Sequence, residues 1–123
     1  MRFMTDRKRA AGLGAAKSGT DHHWMMMVTS VALVGLVPLF VFTFGRALGM
    51  GFEAAQAYYA RPFPAIVGIL TLLVGFYHFK GGVQTLIEDY VHGLTGKALI
   101  IGMTCLSYAA AAVGVFAIVR IAL

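Results

Sequence analysis

One histidine of this chain stands inside a long apolar run. His78 falls within Pro62 to Ile87, where the one charged residue is Lys80. An ionisable side chain within a membrane span is costly and usually functional. A neutral imidazole is also a standard axial ligand of haem iron. On a helical wheel, Gly68, Thr71, Gly75, His78, Gly82, Thr85 and Asp89 follow the spacing 3-4-3-4-3-4 and share an arc of about 100°. Two readings of this small, polar face compete. In the first, Gly75 and Gly82, one turn before and one turn after the histidine, clear room for the edge of a porphyrin whose metal His78 ligates. In the second, the face is a packing seam and His78 bonds a neighbouring helix.

Eleven residues after His78 comes Asp89, and Tyr90 follows it. That separation is about 16 Å of helical rise, which puts both at the membrane boundary on or beside the histidine's face. A carboxylate and a phenol there can hydrogen-bond a polar head group and handle protons. The plainer alternative is that Glu88, Asp89 and Tyr90 end the helix in water, although carboxylates at a helix C-terminus oppose its macrodipole. Lys80 lies about 200° around the helix from His78 and reads as snorkelling toward the nearer head groups.

The elements that must hold these residues follow from the composition. Of the 123 residues, 59% are hydrophobic and only 12% are charged, with a mean hydropathy of +0.80. A soluble domain of this length needs more polar surface. The apolar residues form three runs: Trp24 to Gly45 without a charge, Pro62 to Ile87, and Ala98 to Val119 without a charge. Each is long enough to cross a bilayer, which takes about 20 residues. The predicted fold is all-α: an integral membrane protein of one domain, 1–123, with spans at about 24–48, 63–89 and 97–122 behind a mobile basic tail, 1–20.

The first helix is expected from Asp21 to about Leu48, with Ser18, Thr20 and Asp21 as candidate N-caps and a kink at Pro38. Phe52 to Tyr59 is a short amphipathic stretch in the loop, with Tyr58 and Tyr59 as interfacial belt residues. Pro62 and Pro64 open the second helix, and His92 to Gly96 reads as a tight turn before the third. His22 and His23 lie at the membrane boundary, either as anchors or caps or as contacts to a cofactor's polar edge.

The net charge of +5 is sorted by position and does not suggest nucleic acid. Arg2, Arg7, Lys8, Arg9 and Lys17 crowd the N-terminal tail, which the positive-inside rule keeps cytoplasmic. Three crossings then leave the C-terminus periplasmic. Arg46 and Arg61 in the first loop weaken the bias without reversing it. No signal peptide is visible. The single cysteine, Cys105, provides neither a disulfide nor a haem attachment motif and reads as a small core or lipid-facing residue.

His78, ten further residues, then Asp89-Tyr90-Val91-His92-Gly93 on the second of three spans resembles the D-type anchor family of succinate dehydrogenase, respiratory complex II. Lys17-Ser18-Gly19-Thr20 with His22-His23-Trp24 is similar to alphaproteobacterial members, and the likeness extends from about Gly14 onward. The resemblance implies an inner-membrane, non-catalytic subunit of an enzyme that passes electrons from succinate to ubiquinone in the tricarboxylic acid cycle and aerobic respiration. It implies a flavoprotein subunit, an iron–sulfur subunit and a second, cytochrome b-type anchor that shares haem b, each anchor giving one axial histidine. Carried onto this chain, His78 is the haem ligand, Tyr90 hydrogen-bonds a ubiquinone carbonyl oxygen, and Asp89 supports Tyr90 or delivers protons. One position departs from the family: an arginine is common where this chain has Met27, before Val28-Thr29. The rival readings are a haem b anchor of a fumarate reductase and a small transporter or purely structural bundle.

Overall fold

The computed structural model describes residues 4–12 and 19–123. Its regular secondary structure over these residues is all helix: α1 (Asp6–Ala11), α2 (Gly19–Ala47), α3 (Phe52–Tyr59), α4 (Pro62–Tyr90) and α5 (Gly93–Ala122). Three helices, α2, α4 and α5, are long and apolar enough to cross a membrane. The expected three-span architecture is therefore present.

Several boundaries differ from the expectation. Part of the basic tail forms α1, because Thr5 caps it by accepting from the Lys8 amide and Gly12 ends it at a φ of 55°. Helix α2 starts at Gly19, so Thr20 and Asp21 lie inside its first turn rather than capping it; an acidic residue there suits the positive end of the macrodipole. Ser18 lies outside the described residues, as do Arg2 and Lys17. Helix α2 runs without interruption through Pro38. The stretch Phe52–Tyr59 is a helix, with the two tyrosine rings edge to face at 5.5 Å.

The expected turn from His92 to Gly96 shrinks to Val91 and His92, because α5 begins at Gly93. Two glycines allow this. Gly93 takes a φ of 74°, a conformation that costs glycine little. Gly96 lies against the Val91 backbone carbonyl, where a Cβ has no room.

Helix α4 is the middle of the bundle, packed against α2 and against α5, while α3 touches α4 and α5. In lipid, burying apolar surface gives little drive for helices to associate, so close approach at small residues has to hold them. The α4–α5 seam works this way. The Ile118 side chain fills the space beside Gly68, and Leu72 fills the space beside Gly114; a Cβ at either glycine would come within 2.9 Å of its partner. The buried hydrophobic residues are only Ala65, Val67, Ile87 and Ala111 among those described. Most large apolar side chains are exposed. Cys105 is among the outward-facing residues.

Candidate functional site

The site begins at the antiparallel seam between α2 and α4. From α2 it draws His22, Met26 and Thr29, at spacings of four and three. From α4 it draws His78, Gly81 and Thr85, at spacings of three and four. These periodicities keep each set on one helix face, and the absent side chain of Gly81 lets the two helices close. A Cβ there would collide with the Met26 thioether and press on the His22 ring.

At the centre of the seam, His78 Nδ1 lies 2.9 Å from Thr29 Oγ1. The Thr29 hydroxyl also lies 2.8 Å from the Met25 carbonyl oxygen and 3.1 Å from that of Met26, one turn back on its own helix. A hydroxyl has one proton and two lone pairs. If it donates to the Met25 carbonyl, it is left to accept from His78, so Nδ1 carries the imidazole proton and Nε2 carries the lone pair. Nε2 has no hydrogen-bond partner among the described residues, and no polar side-chain atom is buried without one. Nε2 of His78 therefore reaches the surface of the chain.

This geometry shows the helix-to-helix bond of the second sequence reading. Nδ1 does bond a neighbouring helix, and the bond leaves the other nitrogen available as a ligand. Metal-bound histidines usually show this arrangement, with the second nitrogen donating to a hydrogen-bond acceptor that fixes tautomer and ring orientation. The sequence reading treated Thr29 only as part of a motif. Its signal was a hydroxyl in an apolar span, at a depth that matches His78 on an antiparallel neighbour.

The glycines of the predicted small face separate into two kinds. Gly68 is filled by α5, whereas Gly75 and Gly82, which flank His78, have nothing within 4 Å of where a Cβ would stand. A shallow apolar concavity of about 310 Å³ lies beside Gly75, lined by Thr71, Leu72, Phe76 and Phe79. His78 does not line it. The chain thus presents an imidazole nitrogen with cleared surface on both sides, and no enclosed cavity around it. Among the described residues, no three His, Cys, Asp or Glu side chains converge as a metal site. One histidine on an open face fits a planar metal cofactor that brings its own equatorial ligands and is covered by another chain.

The second polar pair of the seam is His22 Nε2 and Thr85 Oγ1, at 3.5 Å. Thr85 also donates to the Gly81 carbonyl oxygen at 3.2 Å. His22 thus reaches α4 near the membrane boundary on the same seam as His78, and both His22 and His23 are exposed. Asp89 and Tyr90 close α4 and are exposed, Tyr90 by 79%. Neither makes a side-chain hydrogen bond within the described residues, and neither joins the His78–Thr29 pair. Lys80 departs from the expected path. Its ammonium lies over the Tyr77 ring, 5.4 Å from the centroid, one turn toward the middle of the span. Side chains on a helix lean toward its N-terminus, and the ring face attracts the cation.

Comparison with known proteins bears on the whole chain. The family model described as "Succinate dehydrogenase/Fumarate reductase transmembrane subunit" matches residues 1–119. The succinate dehydrogenase hydrophobic membrane anchor subunit of Paracoccus denitrificans is 46% identical over 123 residues, all of this chain and 95% of that protein. The subunit of the same name from Rickettsia conorii is 28% identical over 108 residues, 80% of this chain and 81% of the relative. A succinate dehydrogenase membrane anchor subunit of Reclinomonas americana is 28% identical over 80 residues, 63% of this chain and 67% of the relative. No solved structure matches significantly.

Proposed function

This chain belongs to the succinate dehydrogenase/fumarate reductase transmembrane subunit family, and from that premise we propose that it anchors a succinate:ubiquinone oxidoreductase in the bacterial inner membrane. There it binds haem b with a second anchor subunit and contributes to the ubiquinone site. The observation that carries the haem assignment is the state of His78: Nδ1 engaged by Thr29 at 2.9 Å, and Nε2 unpartnered on a surface cleared at Gly75 and Gly82.

In this reading His78 would hold the haem iron through Nε2, and Thr29 would hold the ring in the ligating tautomer. A b-type haem supplies reversible one-electron chemistry at its iron. The partner anchor would supply the remaining protein ligand and would also cover the open face of α4. Tyr90 stands about 18 Å of helical rise from His78 and donates its phenolic hydrogen bond to a ubiquinone carbonyl oxygen. That bond strengthens as charge develops on the oxygen. Asp89, its neighbour, supports the phenol or passes protons from water. The chain works by position. It docks the flavoprotein and iron–sulfur subunits at the cytoplasmic face and keeps quinone within electron-transfer reach. The basic N-terminal tail supports a cytoplasmic N-terminus and, after three crossings, a periplasmic C-terminus.

The family also includes fumarate reductase subunits, and the direction of turnover with defined quinones separates the two. The named relatives favour succinate oxidation. The test of the haem assignment is His78→Ala in the co-purified complex. The expected result is loss of the reduced b-type absorbance bands while the chain stays in the membrane fraction after carbonate extraction. Wild-type bands in that variant would overturn the ligand assignment.

A further inference from the structure

A cavity lies far from His78, at the opposite end of the bundle. It has a volume of about 640 Å³ and sits where α2 ends, α3 turns and α4 begins. That falls within the range of small-molecule sites, roughly 300–1,000 Å³. Its membrane side is apolar, with Leu39, Phe42, Phe63 and Ile66. Its boundary side carries Arg46, Arg61 and Tyr58. A second cavity of about 360 Å³ adjoins it beneath α3 and is lined by the same Arg46, Arg61 and Tyr58. Two guanidinium groups and a phenol thus stand at the junction of both.

These arginines have no carboxylate partner among the described residues, where the one ion pair is Arg9 with Asp6. Glu53, the acidic residue of α3, lines neither cavity. The first turn of α4 holds no acidic residue either, so the positive end of its macrodipole adds to the field. Below the arginines the groove opens sideways along the span: Phe42 is 73% exposed and Ile66 53%. Cationic groups at the membrane boundary above an apolar groove that runs into the hydrocarbon region have the charge and shape of one class of ligand.

We propose that this junction binds an anionic phospholipid, its phosphate between Arg46 and Arg61 and an acyl chain along Leu39, Phe42, Phe63 and Ile66. Guanidinium groups suit phosphate because their donors are planar and can bind it in pairs. Tyr58 adds a hydroxyl donor at the same depth. The site is independent of the haem and quinone assignments and uses none of their residues.

The test is native mass spectrometry of the intact membrane complex that contains this chain, titrated with dioleoyl-phosphatidylglycerol or dioleoyl-phosphatidylcholine. The wild type is expected to retain one phosphatidylglycerol in clear preference to phosphatidylcholine. Arg46→Gln and Arg61→Gln should each weaken that retention about fivefold, the effect of one cation near an anionic lipid surface. The double variant should erase the preference, with the haem absorbance of the same samples unchanged. The single variants keep the test valid if the double variant fails to assemble. Equal retention of the two lipids by the wild type would overturn the proposal. So would an unchanged preference in the variants, or displacement of the lipid by inorganic phosphate alone. Dissociation of the complex in the single variants, without any loss of lipid preference, would assign the arginines to a partner subunit instead.

Discussion

Replacing Thr29 with valine tests the reasoning about His78 most directly. The two side chains have nearly the same shape, and Thr29 is only 7% exposed, so the packing of α2 on α4 is kept. What disappears is the acceptor 2.9 Å from Nδ1. Leaving a part-buried N–H without a partner costs about 1–3 kcal/mol. Taking about 2 kcal/mol for a site at the membrane interior, haem retention should fall about 30-fold. That lies inside the 10–100-fold range, on the order of what losing an outer-shell partner of a metal ligand costs. Loss of the hydroxyl's bond to the Met25 carbonyl does not harm α2, since such back-bonding slightly destabilises helices. The assay is haem content per complex on serial dilution in detergent, read from reduced-minus-oxidised spectra, with the redox midpoint of the bound haem measured alongside. Thr29→Ser, which keeps the hydroxyl, should stay near wild type in both. If Thr29→Val holds haem as tightly as wild type, with unshifted bands and midpoint, then Thr29 does not orient the imidazole and the tautomer argument fails.

Four further outcomes follow from the same geometry. Gly75→Leu meets open space within this chain, so the anchor should insert normally yet lose its haem bands; full haem content would show that the cleared surface is not the cofactor's. Tyr90→Phe should slow ubiquinone reduction about tenfold or more, in keeping with loss of one hydrogen bond to developing charge, while succinate oxidation with an artificial acceptor stays near wild type; equal loss in both assays would mean an assembly defect. Gly96→Ala should destabilise the start of α5 by about 1–3 kcal/mol, as overpacking does, because the group it meets is the fixed Val91 carbonyl. Gly81→Ala should cost less, since the Met26 thioether it meets can swing aside; thermal unfolding that ranks the two the other way would refute this.

Composition and spacing by themselves determined the class of protein. Three uncharged or nearly uncharged runs of span length can only be membrane helices, because a backbone in hydrocarbon must satisfy its own hydrogen bonds. They also singled out His78, because a lone imidazole in such a run is expensive without a role. The helical ends were less legible. Gly93 and Gly96 looked like a turn, and only the packed backbone at Val91 shows that one takes a positive φ and the other closes the first turn of α5.

Sequence periodicity grouped Gly68, Gly75 and Gly82 as one face, since it records angle on one helix and nothing about neighbours. Tertiary structure decided which of those glycines is filled by α5 and which two stay open beside the histidine. It also decided that Thr29, 49 positions away, meets Nδ1, and that Arg46 and Arg61 share one junction. Such pairings depend on how separate helices dock, and docking is settled by contacts between residues distant in the chain, which no local pattern carries.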